Sequence, residues 1–252
     1  MSAAVSPQLE LRGVTKRFGG VAAVDGVSFE IAKGDIVGII GPNGAGKTTL
    51  LNCISGTQRL DGGDIRWNGE SIAGMAPHRI AKLGIGRTFQ IVKPFGSMTV
   101  RENAAIGALF GSGQARRGVA GAFALANEVL ELVGLKAKAD HPVSGLTIPD
   151  RKRLEVARAV ATRPQLLLLD EVMTGLTPSE AKNGVELVRN IRETGVTVLM
   201  VEHVMEIVMP LVDRAIVLDL GRVICEGRPA DVVRDEVVIT AYLGERHRAR
   251  SA

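Results

Sequence analysis

Two continuous apolar segments stand out from the otherwise mixed pattern of the chain. They occupy residues 165–171 and 196–203, and each ends in polar or charged residues. Unbroken apolarity of this kind is typical of strands that are buried on both faces of a parallel sheet. A helix is predicted between them over residues 178–193. The pattern therefore predicts strands that alternate with helices in a doubly wound α/β sheet.

The start of the chain predicts a different layer. Residues 9–12 and 24–31 alternate between apolar and polar side chains and are rich in β-formers, with glycine turns at 19–20 and 33–34. We therefore expect an antiparallel layer that leads into an apolar strand over residues 35–40.

The remaining elements follow from helical spacing, turn residues and a proline suited to a first helical turn. The predicted strands are 63–69, 85–89, and a closing hairpin of 215–218 with 223–226. The predicted helices are 47–55, a short one opened by Pro77, 99–110, 122–135 and 149–162, with a Gly/Arg-rich loop over 111–121. We expect the three helices between 99 and 162 to form a helical insert.

One glycine-rich turn carries the clearest chemistry. The chain passes from an apolar strand into a helix near Lys47 with the spacing Gly41-x4-Gly46-Lys47-Thr48 of a phosphate-binding loop. Glycines let backbone N–H groups face an anion, and the helix start adds donors and a positive dipole end. Lys47 would reach the outer phosphates and the Thr48 hydroxyl would hold Mg²⁺. The predicted nucleotide-binding residues are Gly41, Pro42, Asn43, Gly44, Ala45, Gly46, Lys47, Thr48 and Thr49.

Four polar residues follow predicted strands, at the sheet edge where open α/β sheets bind ligands. Asp170 is predicted to complete the Mg²⁺ shell opposite Thr48, and Glu171 to be the general base on a water that attacks the γ-phosphate. Gln90 could contact both Mg²⁺ and that water, or be an ordinary strand-end residue. His203 could bind the γ-phosphate and orient the water, or be a surface or core histidine.

Composition narrows the function classes. The chain has 31 basic and 27 acidic residues, a net charge of +4 and 3% aromatic residues, which does not favour nucleic-acid binding. Cys53 and Cys225 lie far apart without metal-ligand spacing, which indicates free thiols in a reducing compartment. No signal peptide or membrane-spanning stretch is visible. We therefore expect a cytoplasmic protein that reaches the membrane only through a partner protein. The basic tail, residues 246–252, is either a solvated end of the chain or a contact for acidic lipid headgroups.

Taken in order, the strand-end residues, the phosphate loop and Phe18 resemble the motif set of the ATP-binding-cassette (ABC) ATPases, from Leu9 to about Gly244. The resemblance implies an α/β P-loop NTPase fold, the ABC nucleotide-binding domain, with an antiparallel β layer and an inserted helical subdomain. It implies that Phe18 stacks on adenine, although a core or turn residue is the local alternative. It also implies that Gln90 opens a loop touching membrane subunits, that Glu171 is the catalytic base, and that His203 is the switch histidine.

The resemblance also implies boundaries and partners. One ABC ATPase domain would cover residues 8–245, with a nucleotide-binding core of 8–89 and 158–245 and a helical subdomain of 90–157. Phrases at 15–20, 86–90 and 241–244 are most similar to ATPase subunits of branched-chain amino acid importers. Such a subunit works with a second ABC ATPase, two integral membrane permease subunits and, indirectly, a periplasmic binding protein. It would lie on the inner face of the cell membrane.

Three departures from the family pattern bear on function. The family signature Leu-Ser-Gly-Gly-Gln falls on residues 146–150, which read Leu-Thr-Ile-Pro-Asp; a register on 143–145 would need an insertion. Val172 and Thr177 replace a common proline and aspartate. Thr147 is predicted to cap a helix, but Asp150 places a carboxylate where an anion would dock. This favours an asymmetric heterodimer, in which this signature serves the partner's ATP poorly, over a homodimer. In a homodimer both sites would share the weak signature, and slow hydrolysis would be expected.

Other functions remain open at this level. A related urea or amide importer and a lipid exporter share the same motifs. A non-transport ABC protein acting on ribosomes or DNA would usually have two cassettes or long charged insertions. A degenerate regulatory binder is suggested only by residues 146–150.

Overall fold

The computed structural model describes residues 6–90, 93–112 and 118–242. The chain divides into two compact units. The first comprises the residues up to Pro77 together with those from Leu199 onward, and the second is His78–Val198. The predicted basic tail 246–252 and part of the predicted loop 111–121 lie outside the described residues.

An antiparallel sheet forms one part of the first unit. Its strands are β1 (Leu9–Phe18), β2 (Val21–Ile31), β4 (Gly62–Trp67) and β5 (Glu70–Ser71), in the order β2-β1-β4-β5. β1 continues to Phe18, which pairs with Val21 across the predicted glycine turn. The predicted antiparallel layer is confirmed, and its first strand is longer than the alternating pattern indicated.

A second sheet has the order β10-β9-β3-β8-β7-β6. Its strands are β3 (Ile36–Ile40), β6 (Ile85–Arg87), β7 (Leu166–Asp170), β8 (Thr197–Val201), β9 (Arg214–Asp219) and β10 (Arg222–Gly227). The pairs β3–β9 and β6–β7 are parallel, and β9–β10 is the predicted antiparallel hairpin. Every residue of β3, β7 and β8 is buried. The continuous apolar segments therefore are fully buried strands, as predicted.

The helices are α1 (Lys47–Ile54), α2 (Pro77–Lys82), α3 (Val100–Phe110), α4 (Val119–Leu132), α5 (Ile148–Ala161), α6 (Pro178–Glu193), α7 (Met205–Val208) and α8 (Pro229–Val232). Short 3₁₀ helices cover Lys136–Lys138 and Val143–Gly145. A last helical stretch, 236–242, reaches the end of the described residues. Among these residues, no helix combines the length and apolarity needed to cross a membrane.

The helix boundaries show where sequence patterns fail. The prediction for α6 matches the structure, because Thr177 caps it and Pro178 opens it. The prediction that α4 begins at Ala122 was wrong, since the helix begins at Val119 and contains Gly121. A glycine costs a helix only about 1 kcal/mol, which tertiary packing outweighs. The sequence missed α7 and α8 because elements this short have no measurable periodicity.

Close packing of α3 on α5 depends on one small residue. A Cβ atom on Gly107 of α3 would lie 2.2 Å from the carbonyl oxygen of Arg158 in α5. Such an approach is far inside van der Waals contact, so the two helix backbones meet here only because position 107 has no side chain.

We expect Gly107→Ala to lower the free energy of unfolding by about 1–3 kcal/mol, because moving a backbone carbonyl costs more than the ~1 kcal/mol that alanine gains in a helix. Gly96→Ala is the control, since a Cβ there would contact nothing within 4 Å. Urea unfolding of both variants measures the difference. A Gly107→Ala protein as stable as wild type would contradict the close approach.

Candidate functional site

The phosphate loop links β3 to α1, as the sequence predicted, and its shape depends on glycine. Gly46 caps α1 with φ 98°, and Gly41 has φ 148°. A Cβ atom on Gly46 would lie 2.0 Å from the carbonyl oxygen of Ala23, and one on Gly41 would lie 2.0 Å from that of Leu218. Both positions therefore require glycine for conformation and for space.

Lys47 is the first residue of α1 and is 5% exposed. Its Nζ donates to the carbonyl oxygens of Gly41 and Pro42 at 2.7 and 2.8 Å. The ammonium group therefore lies against the backbone of the loop, next to the first turn of α1, which contains Thr48 and Thr49. The first turn contains no acidic residue that would repel an anion.

Phe18 ends β1 and is 50% exposed, so the alternative of a core residue is wrong. The Lys16 ammonium lies 5.5 Å from the centre of its ring and also pairs with Asp61 at 2.9 Å. Hydrogen bonds from the backbone of Arg17 and from Lys16 hold the pKa of the Asp61 carboxyl below its ordinary value. An accessible aromatic face with a cation beside it can stack on a nucleotide base; adenine stacking stays a prediction.

Asp170 ends β7 in the second unit and is 1% exposed. Its carboxylate accepts a hydrogen bond from the Arg87 guanidinium at 3.0 Å, and its backbone N–H donates to the Thr88 hydroxyl at 3.1 Å. Burial lowers the pKa of Arg87, and attraction to Asp170 opposes that effect. The sequence did not identify Arg87 as the partner of this acid.

Glu171 lies beyond the strand and has φ 50°, a conformation that non-glycine residues seldom adopt. Its backbone therefore leaves the extended direction of β7 directly after Asp170. Its carboxylate accepts a hydrogen bond from the Gln90 side-chain amide at 2.9 Å. Gln90 itself is exposed and lies beyond β6, which ends at Arg87.

Lys152 of α5 holds the backbone that follows β7. Its Nζ donates to the carbonyl oxygen of Glu171 at 3.3 Å and also to that of Thr174. The sequence alone assigned no role to Lys152, although three basic residues, Arg151, Lys152 and Arg153, lie near the start of this helix. Nothing in the local pattern distinguishes it from Arg151 and Arg153.

His203 follows β8 in the first unit, after the buried Glu202, and its side chain is exposed. The Glu202 backbone N–H donates to the Ile39 carbonyl oxygen of the neighbouring β3 at 3.4 Å. The carboxyl end of β8 therefore carries an accessible imidazole. Its contact with a γ-phosphate stays a prediction.

The divergent stretch 146–150 begins α5. Thr147 is the N-cap, as predicted; its hydroxyl accepts from the Asp150 backbone N–H at 3.3 Å and donates to the Asp150 carboxylate at 2.8 Å. The Asp150 carboxylate also forms an ion pair with Lys138. Ile148 is 70% exposed at this end. Val143–Gly145 forms a separate 3₁₀ helix, which favours the register on 146–150.

The Thr177 departure has a structural explanation. Thr177 caps α6 in a capping box with Glu180: its hydroxyl accepts from the Glu180 backbone N–H at 3.4 Å, and the Glu180 carboxylate accepts from the Thr177 backbone N–H at 2.7 Å. Threonine therefore satisfies the helix start that an aspartate would otherwise cap.

The Lys138–Asp150 pair predicts a pH dependence of stability. Burial raises the pKa of the Asp150 carboxyl, but hydrogen bonds from Lys138 and Thr147 outweigh it, so the pKa lies below its ordinary value. A lowered pKa in the folded state stabilises the protein above the unfolded pKa of about 3.9, and that stability is lost as the pH falls below it.

We expect Lys138→Met to cost about 0.5–1 kcal/mol at pH 7, a small value because solvent screens the half-exposed lysine. The wild type should lose more stability than the variant between about pH 5 and pH 3. Lys136→Met, whose partner Glu131 is exposed, is the control. Urea unfolding across this range measures the effect, and parallel pH profiles would contradict it.

Comparison with known proteins adds independent evidence. Residues 24–174 match the ABC transporter family, and residues 222–248 match the branched-chain amino acid ATP-binding cassette transporter family. The branched-chain amino acid transport ATP-binding protein BraF of Pseudomonas aeruginosa is 40% identical over 95% of this chain and 98% of its own length. LivG of Escherichia coli, described in the same words, is 38% identical over the same shares.

Solved structures agree with the fold. The ADP conformation of MJ1267, an ATP-binding cassette of an ABC transporter, superposes with a TM-score of 0.87 at 32% identity and covers 94% of this chain and 99% of that one. The cbiO1 protein of Clostridium perfringens, part of an ABC transporter complex, superposes with a TM-score of 0.81 at 26% identity and covers 93% of each chain. With the family match extending over residues 24–174 and relatives aligned over nearly the whole length, this protein belongs to the ABC transporter family and is a P-loop ATPase of the ATP-binding-cassette type.

Proposed function

We propose that the protein is the energy-coupling ATPase subunit of an importer for branched-chain amino acids. The observation that carries the proposal is the phosphate loop, whose shape requires glycine at positions 41 and 46 and whose carbonyl oxygens bind the Lys47 ammonium group. The relatives BraF and LivG, which are branched-chain amino acid transport ATP-binding proteins, support the substrate class. The ATPase would lie at the inner face of the membrane by contact with two permease subunits. A periplasmic binding protein would deliver the solute on the other side.

The loop would bind the phosphates of ATP. The backbone N–H groups of the loop, apart from Pro42, which has none, and the start of α1 provide donors and a positive dipole end. Lys47 has its ammonium group already inside the loop, bonded to two carbonyl oxygens that a phosphate oxygen can replace. Stabilising the charge that develops on the γ-phosphate is the main task of such a site. Phe18 would bind the base.

Glu171 would act as the general base. Its carboxylate is half-buried and is oriented by the Gln90 amide at 2.9 Å. A carboxylate fixed by one neutral donor keeps its remaining lone pairs for a water molecule. Gln90 and His203 would orient that water and contact the γ-phosphate. Removing a general base typically slows hydrolysis by a factor of about 10²–10⁴.

Each side chain proposed for Mg²⁺ offers a ligand atom of the kind that the ion prefers. The Thr48 hydroxyl, the Asp170 carboxylate and the Gln90 amide are oxygen donors, which Mg²⁺ prefers. Arg87 holds the Asp170 carboxylate in one orientation at the end of β7. Mg²⁺ bound with ATP supplies positive charge to the β- and γ-phosphate oxygens.

The chain would pair with a second, different ABC ATPase. In the signature stretch, Pro149 removes a backbone donor, and the Asp150 carboxylate accepts bonds from the Thr147 hydroxyl and Lys138 instead of leaving the helix end to a phosphate. A site built on this stretch would bind the partner's ATP weakly. The site on this chain's own loop would instead use the partner's signature.

Glu171→Gln is expected to reduce ATP hydrolysis by about 100-fold or more while ATP affinity stays within about twofold, since the base acts only on the water. Phosphate release by the assembled transporter and nucleotide titration measure the two quantities. Glu193→Gln, an exposed change on α6, is the control. A wild-type rate in Glu171→Gln would exclude Glu171 as base. A rate near half would mean that the partner's site hydrolyses ATP equally well, which contradicts the asymmetric pair, and unchanged ATP affinity in Lys47→Ala would exclude the loop as binding site.

Asymmetry is tested by transport in vesicles. We expect Glu171→Gln in this chain to abolish transport, and the matching change in the partner ATPase to leave a substantial fraction, because the partner's ATP faces the divergent signature. Equal losses from the two single changes would contradict the asymmetric pair.

A further inference from the structure

Three charged side chains lie at helical spacing on α5, at positions 152, 155 and 158. Residues three apart on a helix lie on neighbouring turns of one face. Each of the three contacts backbone outside the helix, and none of them is part of the phosphate loop or of the proposed water-activating set.

Lys152 holds the segment that carries Glu171. Its ammonium group donates to two carbonyl oxygens, those of Glu171 and Thr174, and so spans the turn between them. Glu171 has φ 50°, and a side-chain-bearing residue keeps such a conformation only where surrounding contacts enforce it. Lys152 supplies contacts to the same peptide units.

Glu155 holds the residue before Gln90, and Arg158 holds Glu155. Glu155 is 5% exposed, and its carboxylate accepts from the backbone N–H of Phe89 and from Arg158 at 2.9 Å. Burial raises the pKa of Glu155, while Arg158 and the Phe89 N–H oppose the rise. Arg158 also donates to the carbonyl oxygen of Lys93 at 3.3 Å and lies 5.1 Å from the centre of the Phe95 ring.

The two anchored segments meet in the 2.9 Å hydrogen bond between Gln90 and Glu171. One helix therefore fixes both partners of that bond, the acceptor through Lys152 and the donor through Glu155, which is bonded to the residue before Gln90. A displacement of either segment changes the direction of the Glu171 carboxylate. A misplacement of about 1 Å at a reacting group can slow a reaction by about 10²-fold.

We propose that Lys152 and Glu155 are positioning residues that set the placement of Glu171 against Gln90 for ATP hydrolysis. The inference rests on the proposed role of Glu171 as general base. Lys152 acts as a positively charged donor of hydrogen bonds to carbonyl oxygens. Arginine is also a positively charged hydrogen-bond donor, so it is expected to substitute for Lys152. Glu155 acts as an acceptor, so glutamine substitutes for it in part.

The experiment measures steady-state ATP hydrolysis by the assembled transporter. Lys152→Met is expected to lower kcat by about 10- to 100-fold with KM for ATP within about threefold, because the phosphate loop is untouched. Lys152→Arg should restore kcat to within about threefold of wild type. Glu155→Met should lower kcat in the same way, and Glu155→Gln should lower it less. Lys182→Met, an exposed change on α6, is the matched control and should be silent.

A second arm separates positioning from general destabilisation. If Lys152 acts through Glu171, adding Lys152→Met to Glu171→Gln should lower the residual rate by less than about twofold, whereas independent effects would multiply. Thermal unfolding of each variant confirms that it is folded at the assay temperature.

The results distinguish this inference from the proposed function. Three outcomes would overturn the inference even if Glu171→Gln still slows hydrolysis as expected. They are a wild-type kcat in folded Lys152→Met, a folded Lys152→Arg protein that stays as slow as Lys152→Met, and losses that multiply in the double variant. A Glu171→Gln protein with wild-type rate would instead overturn the role of Glu171 and, with it, this inference.

Discussion

The nucleotide site depends on backbone contacts that leave no room for a Cβ atom. Gly46 meets the carbonyl oxygen of Ala23 in β2, and Gly41 meets that of Leu218 in β9, each at a distance that only glycine tolerates. The Gly221 backbone N–H also donates to the Ala45 carbonyl oxygen at 3.0 Å. The loop is therefore shaped by elements distant in the chain, and Lys47 is placed by that shape and by the start of α1.

Side chains hold the carboxylates of the two acids at the carboxyl end of β7, which are the last residue of the strand and the one after it. Asp170 is buried and held by Arg87, whereas Glu171 leaves the strand through a turn and is held by Gln90. A buried carboxylate needs a charged or hydrogen-bonding partner, since an unpaired one costs several kcal/mol or shifts its protonation. The two adjacent carboxylates therefore differ in burial and in hydrogen-bond partner, and such differences allow them to differ in chemical role.

The start of α5 combines a divergent signature stretch with a well-formed helix end. Thr147, Pro149 and Asp150 make a well-capped N-terminus, and Lys138 neutralises the carboxylate. These bonds join the helix start to other groups of the same chain. The same helix carries Lys152 and Glu155, so the divergent stretch lies on the element that contacts the backbone of Glu171 and Phe89.

The sequence by itself determined the phosphate loop, the buried strands β7 and β8, the helix over 178–193 and the cap at Thr147, because each depends on residue types within a few positions. It identified Asp170, Glu171 and Gln90 as strand-end groups but not their surroundings. Arg87 and Asp170 are 83 positions apart, and Gln90 and Glu171 are 81 apart. Only the tertiary structure decided these pairs, the turn at Glu171 and the contacts of Lys152 with the backbone after β7, because local sequence spacing does not determine which distant segments become neighbours in the fold.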